Sequence, residues 1–239
     1  MTLDAVIADN LRAVRTRIDE AARRVSRDPG GVTLIAVSKT FPADHVRAAA
    51  RAGQVDFGEN KVQEALQKIG ETADISLRWH LIGHLQSNKA KKAAGLFACI
   101  HSIDSVDLLQ RVDAAASDEG SSPDVLVQVD LAGEETKFGA PADAARRIVD
   151  AALAARAVKL AGLMIVPPWN EDQEQTRPWF RRLRGLRDEW VAKGIAAESL
   201  RHLSMGMSHD FEAAIEEGST LVRVGTAIFG KRTYKESNA

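Results

Sequence analysis

Lys39 lies in the run Ala36-Val37-Ser38-Lys39-Thr40, which stands an amine immediately after residues suited to burial. An ammonium held there loses hydration, its pKa falls, and the neutral amine becomes able to attack an aldehyde. Taken alone, an exposed lysine at a strand end is the commoner arrangement, so the reading depends on what converges with it. Two later segments offer partners. Leu203-Ser204-Met205-Gly206-Met207-Ser208 reads as a loop of small residues opening a helix, where backbone N–H groups and hydroxyls suit an anion. Val222-Arg223-Val224-Gly225-Thr226 adds a guanidinium, a bare amide at Gly225 and a hydroxyl at Thr226 that can bond phosphate oxygens. An N-cap and a tight turn would explain the same two segments equally well.

Three other chemistries fail on spacing. Gly225-Thr226-Ala227-Ile228-Phe229-Gly230-Lys231 nearly spells a nucleotide-binding loop, but Arg232 follows where a magnesium-binding Ser or Thr is required. His80 and His84 are four apart on a strand and its following loop, where that spacing does not bring two rings together, so no metal site is expected. The basic run Arg181 to Arg187 carries Leu183 and Leu186 at helical spacing and reads as the solvated face of a helix, not as an RNA contact.

The elements that would position these groups alternate regularly. Strands are expected near Val32 to Val37, Val55 to Phe57, Arg78 to Ile82, Phe97 to His101, Val125 to Val129, Lys159 to Met164, Leu200 to Leu203 and Leu221 to Val224. Helical stretches start near Pro42, Lys61, Asn88, Ser105, Pro141, Asp172 and Ser208. Eight strands separated by helices predict an α/β fold, a single-domain (β/α)8 TIM-type barrel, in which reactive groups sit at the C-terminal strand ends and phosphate near strands seven and eight. Only the eighth crossover lacks a helix. Leu3, Val6, Ile7, Leu11, Val14, Ile18 and Val25 form one face of an extra N-terminal helix, opened by Thr2, that could cover the gap. The expected organisation is one domain over 1–239, with the helix in 1–28 and a tail over 231–239. Closure would make strands one and eight neighbours, letting Lys39 and Arg223 face one ligand.

The balance of 32 basic and 33 acidic residues gives no global field for nucleic acid or an anionic membrane. A lone cysteine, Cys99, excludes an intramolecular disulfide and fits a reducing cytoplasm, and its apolar neighbours suggest an inert buried thiol. Neither a secretory signal nor a membrane span is expected.

AVSKT at 36–40, DFGENKVQE at 56–64, WHLIGHLQSNK at 79–89, GEETKFG at 133–139, GLM at 162–164, LSMGMSHDFEAAIEEGST at 203–220 and VRVGTAIFG at 222–230 together resemble the pyridoxal phosphate homeostasis proteins, small relatives of the alanine racemase N-terminal barrel domain. The resemblance runs nearly end to end. It implies pyridoxal 5'-phosphate as cofactor, carried on Lys39 as an internal aldimine, with Ser204, Gly225 and Thr226 at its phosphate, Gly206 in the same cofactor-binding set, Arg223 at the pyridine nitrogen, and Asn60 and His80 along its face and edge. Asp130, where the family usually has asparagine, and Val166-Pro167-Pro168-Trp169 depart from the pattern at the outer rim.

A guanidinium only donates, so Arg223 would leave the ring nitrogen unprotonated and the cofactor a poor electron sink. Tyr234 is the only tyrosine and lies near the C-terminus, away from the role of second acid/base. The expectation is a cytoplasmic, monomeric carrier of pyridoxal phosphate without efficient turnover, serving vitamin B6 homeostasis and thereby amino-acid and keto-acid balance, with transient contacts to apoenzymes. The alternative is an amino-acid racemase or lyase of the same barrel type. A weaker one is a regulatory module presenting the GEETKFG loop and Lys137 to a partner.

Overall fold

The computed structural model describes residues 1–133 and 138–231. Lys137 and Tyr234 lie outside them. Eight parallel strands close into a barrel in sequence order: β1 (Thr33–Val37), β2 (Asp56–Glu59), β3 (Arg78–Leu81), β4 (Cys99–Ile103), β5 (Asp124–Gln128), β6 (Lys159–Met164), β7 (His202–Met207) and β8 (Leu221–Val224). The helices are α1 (Leu3–Arg24), α2 (Ala43–Arg51), α3 (Val62–Glu71), α4 (Ala90–Ala94), α5 (Val106–Glu119), α6 (Ala142–Leu153), α7 (Arg177–Ala192), α8 (Phe211–Glu216) and α9 (Thr226–Phe229).

The strands are short and nearly all buried because each presents one face to the helical ring and one to the barrel interior. Two apolar clusters follow from that alternation. The larger joins sheet and helices, while Ile35, Cys99, Leu126, Ala161, Met164 and Leu221 form a separate one inside the barrel.

Helix α1 starts where the Thr2 hydroxyl accepts from the Ala5 N–H at 3.3 Å, with Asp4 in its first turn and Arg23 and Arg24 in its last, each sign suiting the helix dipole. Its buried stripe, Ile7, Leu11, Val14 and Ile18, packs on α2, α8 and α9. The extra helix therefore covers the seam between the last and first strands, and the eighth crossover keeps a single turn, α9.

One strand differs materially from the sequence reading. The segment from Ser204 to Met207, expected as loop, belongs to β7, which the sequence reading ends at Leu203. Small residues mimic a turn there, but they are small for packing: Gly206 has φ +91°, and a Cβ on it would lie 2.6 Å from the Ala214 Cβ and 2.9 Å from the Phe211 Cα. The connection to α8 is Ser208-His209-Asp210. Among the described residues no helix is long and apolar enough to cross a membrane.

Candidate functional site

The turn that carries Lys39 is held on both sides. Ser38 is fully buried, and its hydroxyl donates to Glu59 Oε1 at 2.6 Å. Lys68, from α3, donates to the Ser38 carbonyl at 2.6 Å, to Glu59 at 2.6 Å and to Glu64 at 2.9 Å. Glu64 also accepts from the Thr40 N–H, which fixes a non-glycine residue at φ +70°. Burial pushes the Glu59 carboxyl above its ordinary range, against the pull of Lys68 and Ser38, and its second oxygen has no hydrogen-bond partner among the described residues. Lys39 itself is partly exposed at the end of β1.

Across the seam, Ile35 of β1 pairs in register with Arg223 of β8. Arg223 is 4% exposed, donating from Nη1 to Ser204 Oγ at 2.5 Å and from Nη2 to the Ile165 carbonyl at 2.9 Å. Burial pushes this guanidinium down to about 10, with Asp210 partly offsetting the loss of hydration. A group that basic still carries its proton at neutral pH.

Above Arg223, the chain turns through Gly225, which is glycine for space: a Cβ would sit 3.1 Å from the Val37 carbonyl oxygen of the neighbouring strand. The Gly225 N–H donates to Ser208 Oγ at 3.1 Å, and Thr226 follows exposed. Ser208, Gly225 and Thr226 thus put two hydroxyls and a bare backbone side by side at the barrel mouth. Asp210 fastens the first of these loops by accepting from the Met207 N–H at 2.7 Å.

Three sequence candidates fall elsewhere. Ser204 is fully buried inside the barrel between Arg223 and His101, below the loops. Gly206 serves the packing of α8 on β7. His80 is near the barrel floor, where both ring nitrogens are engaged, Nε2 with Asp56 at 2.9 Å and Nδ1 with His101 at 3.0 Å. Asn60 stays near the mouth after β2, where its backbone is approached so closely by Gly83 that a Cβ there would lie 2.3 Å from the Asn60 oxygen.

Ser208 lay in the segment read as suiting an anion but was not singled out, and His101 was missed. Ser208 has no local signal beyond being a hydroxyl at a helix start. His101 ends the strand expected over Phe97 to His101, and only the observed β4, Cys99–Ile103, puts it at the centre and buries it. Desolvation, reinforced by His80 and Arg223, holds the His101 ring well below the ordinary histidine range, so it is neutral. His84 stands apart, stacked on Phe138 at 3.7 Å and 3.3 Å from Asp104. His80, Cys99 and His101 place ligand atoms within 4.8 Å of one another, a cluster the sequence spacing conceals. Two of those ring nitrogens are turned on each other, and burial pushes the Cys99 thiol well up, away from the thiolate a metal would need. At the floor, a cavity of about 220 Å³ reaches Asp56, Arg78, His80, Cys99 and His202.

Residues 10–233 match the family model described as alanine racemase, N-terminal domain. A pyridoxal phosphate homeostasis protein of Aquifex aeolicus is 43% identical over 226 residues, covering 95% of this chain and 98% of the relative. One of Pseudomonas aeruginosa is 42% identical, covering 96% and 97%. Among solved structures, PipY of Synechococcus elongatus with PLP bound is 40% identical, with a TM-score of 0.82, and the match covers 94% of this chain and all of PipY.

Proposed function

The chain belongs to the alanine racemase N-terminal domain family and, within it, to the pyridoxal phosphate homeostasis proteins, and from that premise we propose that it binds pyridoxal 5'-phosphate reversibly at Lys39 and holds it for delivery. The observation that carries the reading is the seam between β1 and β8, which gathers a lysine, a buried guanidinium and a glycine-hydroxyl cradle from opposite ends of the sequence.

The residues fit the group chemically. When bound, pyridoxal phosphate supplies an aldehyde that condenses reversibly with a lysine amine. Lys39 presents that amine from a turn whose neighbours are tied to Glu59, Glu64 and Lys68, so little ordering remains to be done on binding. Ser208, Gly225 and Thr226 would hold the phosphate, the bare Gly225 allowing close approach. Arg223 would donate to the ring nitrogen, and Asn60 would line one face. Ser204, Gly206 and His80 would then support this set from beneath, through their own protein contacts, rather than bind the cofactor.

Arg223 also bears on what the protein does not do. It can only donate, so a ring nitrogen opposite it stays an acceptor, and an unprotonated ring withdraws electrons weakly. Holding and releasing need no such withdrawal, whereas stereoinversion or cleavage on so weak a sink needs a second acid/base beside Lys39 as well. We therefore place the protein among carriers rather than turnover enzymes, acting in the cytoplasm as a monomer and passing the cofactor to apoenzymes by brief contact.

Purified protein should show visible absorbance from lysine-bound cofactor, and borohydride reduction followed by peptide mapping should label the peptide containing Lys39. Lys39→Ala should abolish both signals. A label on any other lysine, or absorbance that survives in Lys39→Ala, would defeat the proposal, and efficient racemisation of any amino acid would replace the carrier role with a catalytic one.

A further inference from the structure

Five side chains from five strands form one hydrogen-bonded series through the barrel interior. Arg223 on β8 donates to Ser204 on β7 at 2.5 Å, Ser204 meets His101 on β4 at 2.9 Å, His101 meets His80 on β3 at 3.0 Å, and His80 meets Asp56 on β2 at 2.9 Å. All five residues are less than a tenth exposed. The floor cavity reaches Asp56 and His80 but not Arg223, Ser204 or His101, so the protons of Ser204 and His101 must find their acceptors within the series.

The ends fix its direction. Arg223 has donors only. Asp56 is ionised: burial alone would raise its carboxyl, but bonds from His80 and Arg78 outweigh that and hold it below the ordinary range. The Arg78 contact is a two-point pair at 2.8 and 2.7 Å. A carboxylate only accepts, so His80 must donate from Nε2. From the other end, Ser204 accepts from Arg223 and turns its proton on His101 Nδ1, which leaves His101 donating from Nε2 and His80 accepting at Nδ1. With both rings neutral, this is the one arrangement that leaves every proton partnered.

We propose that Asp56 and His80 are positioning residues for Arg223: acting through His101, they commit the Ser204 proton away from the guanidinium, so that Ser204 presents Arg223 with a pure acceptor and anchors it for the cofactor ring. Reversal would have the opposite effect. Were His80 to donate from Nδ1, His101 would have to donate to Ser204, whose oxygen would then accept from two donors while its own proton lost its partner beside Arg223. The carboxylate at the closed end of the barrel thus governs the geometry at the open end, and Arg78 governs the carboxylate. This use of Arg223 rests on the binding proposed above, whereas the proton arrangement does not.

The two are separated by recording histidine side-chain ¹⁵N–¹H correlation spectra on the protein with and without bound pyridoxal phosphate. Both His80 and His101 should be neutral with the proton on Nε2 in either state. A proton on Nδ1 of either ring, or a charged His101, would overturn the assignment. In Asp56→Asn the amide can donate as well as accept, so His80 should populate a second tautomer, cofactor retention should fall about tenfold, as for loss of a charge-assisted bond, and the visible band should shift. Asp56→Glu should restore the tautomer and the band. An Asp56→Asn protein with wild-type tautomers and a wild-type band would sink the positioning role. Failure of the wild-type protein to take up cofactor would sink the binding proposal instead, with the spectra of the cofactor-free protein still deciding the proton arrangement.

Discussion

Lys68 meets Glu59 at 2.6 Å under the turn that carries Lys39, and both side chains are almost fully withdrawn from solvent. An ion pair at such depth gains little over an apolar pair of the same volume, but removing one member strands the other in a dry interior. Lys68 also ties the Ser38 carbonyl, so the pair supports the site geometry as well as itself. Lys68→Met should cost about 3 kcal/mol in urea denaturation, and Lys68→Met combined with Glu59→Gln should recover part of that loss. A single variant within about 0.5 kcal/mol of wild type would show that the pair is not structural.

The neutral ring of His101 makes a second prediction about pH. Its folded pKa lies well below the ordinary value of 6.5, so below about pH 6.5 the unfolded chain binds a proton that the folded protein refuses. Stability attributable to this group is complete above that value and falls as pH drops, with a limiting slope of about 1.4 kcal/mol per pH unit. Depressed values at His45 and His202 add to the same trend. Denaturation of wild type and His101→Gln between about pH 5 and 6.5 should therefore show a slope shallower by about that amount in the variant. Parallel profiles would mean that His101 takes up its proton in the folded state.

The alternation of apolar runs and amphipathic stretches made the barrel legible, because a strand buried on both faces leaves a compositional trace. The meeting of the strand before Lys39 with the strand that carries Arg223 was legible for a related reason: the barrel rule brings the first and last strands together. What could not be read was depth along a strand. Ser204 and Gly206 have the composition of a turn, yet one points into the barrel and the other clears space for α8. The pairing of His80 with His101 depends on the register of β3 against β4, which pairs His80 with Cys99 and is set by packing, not by sequence spacing.

Gly206 supplies a prediction that separates packing from binding. A methyl group there would enter the space of Phe211 and Ala214 and would be held at φ +91°, a region that disfavours alanine. Gly206→Ala should lower stability by about 2 kcal/mol, or about 4–8 °C in Tm. The fraction that remains folded should retain cofactor normally in a saturation titration well below that temperature. A stable variant that fails to bind would return Gly206 to the set touching the cofactor.

Ser208 is the complementary case. Its hydroxyl accepts from the Gly225 N–H at 3.1 Å and still has a proton to give, at the mouth rather than in the interior. Removing it deletes one donor to a phosphate and releases the Gly225 amide, while burying no unpaired group. Ser208→Ala should therefore leave the unfolding midpoint within about 0.5 kcal/mol of wild type and weaken cofactor retention about fivefold, the equivalent of about 1 kcal/mol. Dialysis of the loaded protein, followed by its visible absorbance, measures the loss. Retention equal to wild type would remove Ser208 from the phosphate cradle and leave Gly225 and Thr226 to hold the anion without it.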